Sequence, residues 1–161
     1  MTPDAYLEKN ISQQPAIDLL VAMGYQYISP ADARTQRGAG QQVLLRDVLR
    51  GQLRRINRYT YAGAVNEFSA ANIERAITDL DVPLTEGLVH TSEHIYDALM
   101  LGRSYPEAVG QGHMLSFNLD YIDWAHPENN LFHVTQEFEV DRVDGEGTLR
   151  PDLVLFINGI P

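Results

Sequence analysis

No cysteine occurs among the 161 residues, and there is a single lysine, Lys9. The first absence excludes disulfide scaffolds and thiolate zinc sites, and it makes a cytoplasmic address the expectation. Long hydrophobic runs are missing as well. The longest apolar stretch near the start, Ala16 to Met23, is broken by Asp18 and follows no basic region. It is too short to span a membrane and does not read as a signal peptide, so no membrane partner is expected. The chain also lacks GxxxxGK followed by Ser or Thr, so the GAG at residues 38–40 reads as a simple turn rather than a phosphate loop. We find no internal repeat and no low-complexity tract.

What remains is a globular composition, 44% hydrophobic and 21% charged, in a chain long enough for one core. A single domain over 1–161 is therefore expected. The net charge of -10 argues against a general polyanion binder, but the charges are unevenly placed. Between Arg34 and Arg58 lie seven of the twelve basic residues against one acid, Asp47.

Hydrophobic spacing predicts a helix over Gln14 to Met23, with Pro15 in its first turn and Gly24 as its stop, followed by a short extended exit at Tyr25 to Ile28. Residues 29–42 are polar, have no clear period and read as a loop. Val43 to Asn57 predicts a helix with Leu45, Leu49, Leu53 and Ile56 on one stripe. A second stripe carries Arg46, Arg50, Arg54 and Arg58 at i, i+4 spacing, where like charges repel. That ridge has two readings: a contact for an anionic partner such as a phosphate backbone, or a solvated face pairing with acids elsewhere in an acidic protein.

Further helices are expected over Ser69 to Leu80, with Ser69 as N-cap and a turn at Asp81-Val82-Pro83, and from Glu86 to Leu101, ended by Gly102. The period then shortens. His113 to Trp124, Leu131 to Val143 and Leu149 to Ile157 predict three strands, joined by HPENN and DGEG into an antiparallel meander. Helices first and strands after give a mixed α+β, or α/β, fold class. Asn158-Gly159 is the favoured pair for a two-residue hairpin turn, so a strand is expected to follow it.

Two constellations could carry chemistry. "HTSEH", His90 to His94, fits the H-x-x-E-H zinc pattern: His90 and His94 share a helix face, Glu93 could serve as base, and Glu128, Glu137 or Glu139 could complete the ligands. The pattern is short enough to arise by chance, and His113, His126 and His133 share no ligand-like spacing. The other is Asp152, heading an apolar strand. A carboxylate buried there is costly unless it is hydrogen-bonded, paired or holding a cation; the alternative is a solvent-facing Asp, or one paired with Arg150.

"RPDLVLFINGIP" closely resembles the segment entering the nuclease site of the restriction (R) subunit of type I restriction-modification enzymes. "QQPAIDLLVAMGYQYI" resembles that family's opening helix, "VLLRDVLRGQLRRIN" its next helix and "NNLFHVTQEFEV" the strand before the motif, in the same order. The resemblance implies a PD-(D/E)xK restriction-endonuclease-like core in which Asp152 is the first catalytic and Mg²⁺-binding acid. The family's Glu-x-Lys lies on the hairpin partner beyond "NGIP". No residue here matches it, Lys9 lies far from the motif, and the family's opening-helix acid is replaced near Gln13, with Glu8 a distant substitute. The resemblance thus implies a domain cut before its last motif strand and inactive in this form. It also implies DNA as substrate, methyltransferase and specificity subunits as partners, and ATP bound only by the motor of the full subunit. Without the missing strand, the edge of Val154 to Ile157 is expected to self-associate. A non-catalytic DNA-binding or assembly module is the competing expectation.

Overall fold

The computed structural model describes residues 13–37, 43–81, 87–141 and 147–161. In chain order these form α1 (Gln14–Ala22), β1 (Gln26–Tyr27), α2 (Pro30–Arg37), α3 (Arg46–Ile56), β2 (Tyr59–Tyr61), β3 (Ala64–Asn66), α4 (Ala70–Leu80) and α5 (Leu88–Leu101). There follow β4 (Arg103–Gly110), β5 (His113–Leu119), a 3-10 turn (Pro127–Asn129), β6 (Phe132–Gln136), β7 (Val140–Asp141), β8 (Thr148–Leu149) and β9 (Leu153–Ile157). The architecture is mixed α+β with small sheets. No helix among the described residues is long and apolar enough to cross a membrane.

Four expected helices are present and keep their predicted signals. Pro15 sits in the first turn of α1, and Gly24 follows it with φ +103°. Ser69 caps α4 by accepting the Asn72 backbone N–H at 3.3 Å. Leu45, Leu49 and Leu53 of the predicted stripe are fully buried. The loop expected over 29–42 instead contains α2. Ser29 accepts the Asp32 backbone N–H at 3.1 Å and Pro30 opens the helix, an N-cap and first-turn pair hidden by the polar residues around it. Residues 38–42, with their GAG, lie outside the described residues, as do Val82, Pro83 and most of the DGEG connection.

Contacts divide the described residues into two compact units, one from 13–47 with 131–161 and the other from 48–130. The first is built on a three-stranded sheet in the order β1-β6-β9, with β1 parallel and β9 antiparallel to β6. Ile17, Ala33, Val134, Phe138 and Phe156 are buried there. Phe138 meets Phe156 edge-on with centroids 5.3 Å apart, and the Arg37 guanidinium lies 4.2 Å above the Phe138 ring while donating to the Glu139 carbonyl at 2.7 Å.

The second unit packs α4 against the β4–β5 hairpin through buried polar groups. Glu107 of β4 accepts hydrogen bonds from Ser69 N, Ser69 Oγ and Asn72 Nδ2 at 2.8 to 3.0 Å. Tyr105 donates to Asp79 at 2.9 Å, and the Tyr105 and Tyr121 hydroxyls lie 2.9 Å apart. Burial raises the pKa of both phenols above the ordinary value, so they stay neutral donors. Tyr59 stacks on Phe117 at 4.2 Å and ties the β2–β3 hairpin to β5.

The expected three-strand meander is corrected in part. β6 and β9 do pair antiparallel, from Phe132↔Ile157 to Gln136↔Leu153, and β7 pairs with β8. β5, however, pairs with β4 across a two-residue turn at Gln111-Gly112, and β1 takes the other side of β6. Alternation identified β5, β6 and β9 but not β2, β3 or β4, and it carried no information about partners.

His133, directly across from Phe156, is 7% exposed, and its Nδ1 has no hydrogen-bond partner among the described residues. Burial lowers its pKa below the ordinary 6.5. The unfolded chain therefore binds a proton that the folded chain resists, and stability present above pH ~6.5 falls as the pH drops through the interval below it. Urea unfolding at pH 7.5 and 5.5 is expected to show a larger loss of midpoint for the natural chain than for His133→Leu; equal losses would refute a buried neutral imidazole.

Candidate active site

β9 runs Leu-Val-Leu-Phe-Ile, residue types that suit a pleated, half-buried surface, and Arg150-Pro151-Asp152 leads into it. The Asp152 carbonyl accepts the Glu137 backbone N–H at 3.2 Å, which carries the β6–β9 pairing one residue past Gln136↔Leu153. Glu137 thus stands opposite Asp152. Its φ is +51°, uncommon for a residue with a side chain, and the regular strand ends there. The Asp152 side chain is exposed, and no hydrogen bond or ion pair to a described residue engages its carboxylate. The desolvation problem posed by an acid on a buried strand is absent, because the strand becomes buried only further on, at Phe156. Arg150, also exposed, does not pair with it.

At the other end of β9 the predicted turn forms as expected. Asn158 and Gly159 have φ of +54° and +87°, and Ile157 and Ile160 exchange backbone hydrogen bonds at 2.9 Å in both directions. Sequence reasoning missed the second role of Asn158. It is fully buried, its backbone N–H donates to the Leu131 carbonyl at 2.8 Å, and its Oδ1 accepts the Leu131 N–H at 2.8 Å. Gly159 adds a bond by accepting the Leu45 N–H at 2.9 Å.

The histidine pattern does not become a metal centre here. His90, Glu93 and His94 are exposed on α5, and among the described residues no group of three or more His, Cys, Asp or Glu could hold a metal ion. Glu128 lies 3.5 Å from His126 on the exposed 3-10 turn, and Glu139 lies 3.5 Å from Arg34. Glu8 and Lys9 lie outside the described residues. Gln13 occupies the N-cap of α1 without a side-chain capping bond.

The arginine ridge is broken up by tertiary pairing. Arg50 forms a two-pronged contact with Glu74, its Nη2 3.2 Å from Oε2, and Arg58 lies 2.9 Å from Glu67. Arg46 is half-buried. Arg54 is exposed with no ion pair among the described residues, and so is Arg55, which the i, i+4 pattern left out.

Two comparisons identify the class. The family described as type I restriction enzyme R protein N terminus matches residues 5–161, and the chain belongs to it. A protein of Methanocaldococcus jannaschii provisionally named the MjaIXP endonuclease subunit of a type I restriction enzyme is 26% identical over 167 residues. The match covers 96% of this chain and 14% of that relative, so the chain spans about one seventh of the relative's length. No solved structure matches. This is an N-terminal domain of a type I restriction enzyme R subunit.

Since Asp152 makes no side-chain contact with a described residue, Asp152→Asn is expected to change folding stability by no more than about 0.5 kcal/mol in denaturant titrations. A loss above about 2 kcal/mol would show that the carboxylate serves the fold.

Proposed function

We propose that this domain is the DNA-cleaving part of a type I restriction enzyme R subunit, built on a PD-(D/E)xK core, with Asp152 as its first metal-holding acid. The observation that carries this reading is an exposed, uncommitted carboxylate at the head of β9, in a chain that the R-subunit family matches over 5–161. Such a position suits a ligand rather than a packing residue. In the complete subunit the reaction is hydrolysis of DNA phosphodiesters in the cytoplasm, with methyltransferase and specificity subunits as partners and ATP consumed by a separate motor.

Mg²⁺ prefers oxygen ligands, and when bound it supplies an activated water and offsets charge on the phosphate. Asp152 offers such a ligand and Glu137 stands across from it, but the described residues do not complete the family's set of two acids and a lysine. We therefore assign Asp152 to hold the ion and draw no step through it.

The outer side of β9 follows from the same geometry. Among the described residues Ile157 alone is closed on that side, by Ile160, while the outward backbone groups of Leu153 and Leu155 bond to no described residue. In this form we expect them to pair with a second copy at high concentration. Sedimentation velocity that stays monomeric across the accessible range would sink that expectation.

The purified 161 residues are expected not to nick supercoiled plasmid in Mg²⁺. Nicking that disappears in Asp152→Ala would overturn this and move the search for a second acid to Glu137 and Glu139. The nuclease reading itself is decided in the source gene. Codons beyond Pro161 that give a hydrophobic strand with Glu-x-Lys support it; a stop codon there withdraws it in favour of a binding module.

A further inference from the structure

We infer that the exposed Arg54–Arg55 pair on the last turn of α3, with Gly51 one turn earlier, forms a contact for the phosphate backbone of duplex DNA. The inference rests on the nuclease-domain reading above and adds to it the place where the substrate's backbone is held.

Three observations converge on this surface. Charge comes first. The protein carries 22 acids and a net charge of -10, and the flanking ridge arginines have found partners, Arg50 with Glu74 and Arg58 with Glu67. Arg54 and Arg55, adjacent and solvent-exposed, have no ion pair among the described residues. Two exposed guanidiniums on the last turn of α3, with no carboxylate paired to either among the described residues, complement an anion even in so acidic a chain, and the fork geometry of arginine suits phosphate oxygens.

Gly51 gives the second. It sits inside α3, where glycine weakens a helix relative to alanine. A Cβ built there would meet nothing within 4 Å, so packing among the described residues does not require its absence. Gly51 and Arg55 are four residues apart and share a helix face. A bare backbone beneath an arginine lets an external surface approach closely, which accounts for a residue that the packing leaves unexplained.

The third observation is rigidity. Leu49 and Leu53 are fully buried, Gln52 donates to the Asn129 carbonyl at 3.1 Å, and Asn57 donates to Leu53 and Asp120 carbonyls at 3.0 and 2.8 Å. The basic turn is thereby held at both of its ends, so docking a backbone there orders little beyond the arginine side chains themselves. Contacts of this type position a duplex without reading its sequence.

The test is fluorescence anisotropy of a labelled duplex of about 20 base pairs titrated with the purified chain in EDTA, repeated from about 20 to 200 mM KCl. Arg54→Gln/Arg55→Gln is expected to weaken binding and to reduce the slope of log affinity against log salt by about two, near 0.9 for each lost phosphate contact. Arg54→Lys/Arg55→Lys should keep the slope, and Arg34→Gln, which removes one exposed arginine of the first unit, should leave it unaltered. Gly51→Gln should weaken binding with the slope retained, while Gly51→Ala raises the thermal midpoint. Circular dichroism checks that each variant is folded. An unchanged slope in the Gln pair, or no salt-dependent binding by the natural chain at the lowest salt, overturns the inference. So does loss of co-elution with a purified methyltransferase subunit by the Gln pair when DNA binding is absent, which would assign the surface to an acidic protein. Because EDTA removes any need for metal or cleavage, failure of the nuclease reading leaves this result standing, and the reverse also holds.

Discussion

Asn158 holds the end of β9 to the start of β6 by using both its backbone N–H and its side-chain oxygen on Leu131. The rest of the first unit depends on that clamp. It fixes the register in which Phe156 faces His133 and Gln136 faces Leu153, and that register delivers Asp152 to its place opposite Glu137. A slip of one residue would turn Phe156 outward, expose the aromatic contact with Phe138 and break both bonds between Asn158 and Leu131. One buried asparagine thus specifies both the packing face and the position of the candidate ligand, and an aliphatic residue could supply neither the left-handed turn nor the acceptor.

Much of this was legible in the sequence, for reasons that can be named. α1, α4 and α5 each combine apolar recurrence with an end signal, Pro15 and Gly24, Ser69 and Gly102 respectively, and α3 carries the clearest apolar stripe, so local chemistry and global fold agree. The Asn-Gly turn was legible because Asn and Gly tolerate positive φ. The β2–β3 and β4–β5 turns were not, since Ala62 and Gln111 take the same left-handed conformation without belonging to the residues that favour it. β4 was also concealed by Pro106 and Glu107, both out of character for a strand until the acid is seen accepting three hydrogen bonds from the start of α4.

The candidate site divides the same way. Asp152 was singled out through a motif, and the structure leaves its carboxylate exposed and unengaged by any described residue. The fate of the arginine ridge was not readable, because whether an arginine is spent on Glu67 or Glu74 is decided by tertiary placement rather than by spacing. Spacing put Arg50 and Arg54 in one class; the fold separates them. The second unit shows a related preference for polar fastening. Glu107, Asn72, Asn57, Tyr105 and Tyr121 are buried, and each is hydrogen-bonded. Such satisfied networks favour a single arrangement of the β4–β5 hairpin on α4 over its slipped alternatives.

Helix α2 is built differently from its neighbours. Its buried residues are Ala33 and Arg37, so it hides one methyl group and one guanidinium where α1, α3 and α4 hide leucines or isoleucines. Little apolar area opposes its detachment, and the contacts that would be given up include a cation-π stack, a backbone acceptor and the Arg34–Glu139 ion pair. That places α2 at the low end of the local stability scale. The first unit therefore joins a sheet held by backbone pairing and aromatic packing to a helix that gives up little apolar burial when it opens.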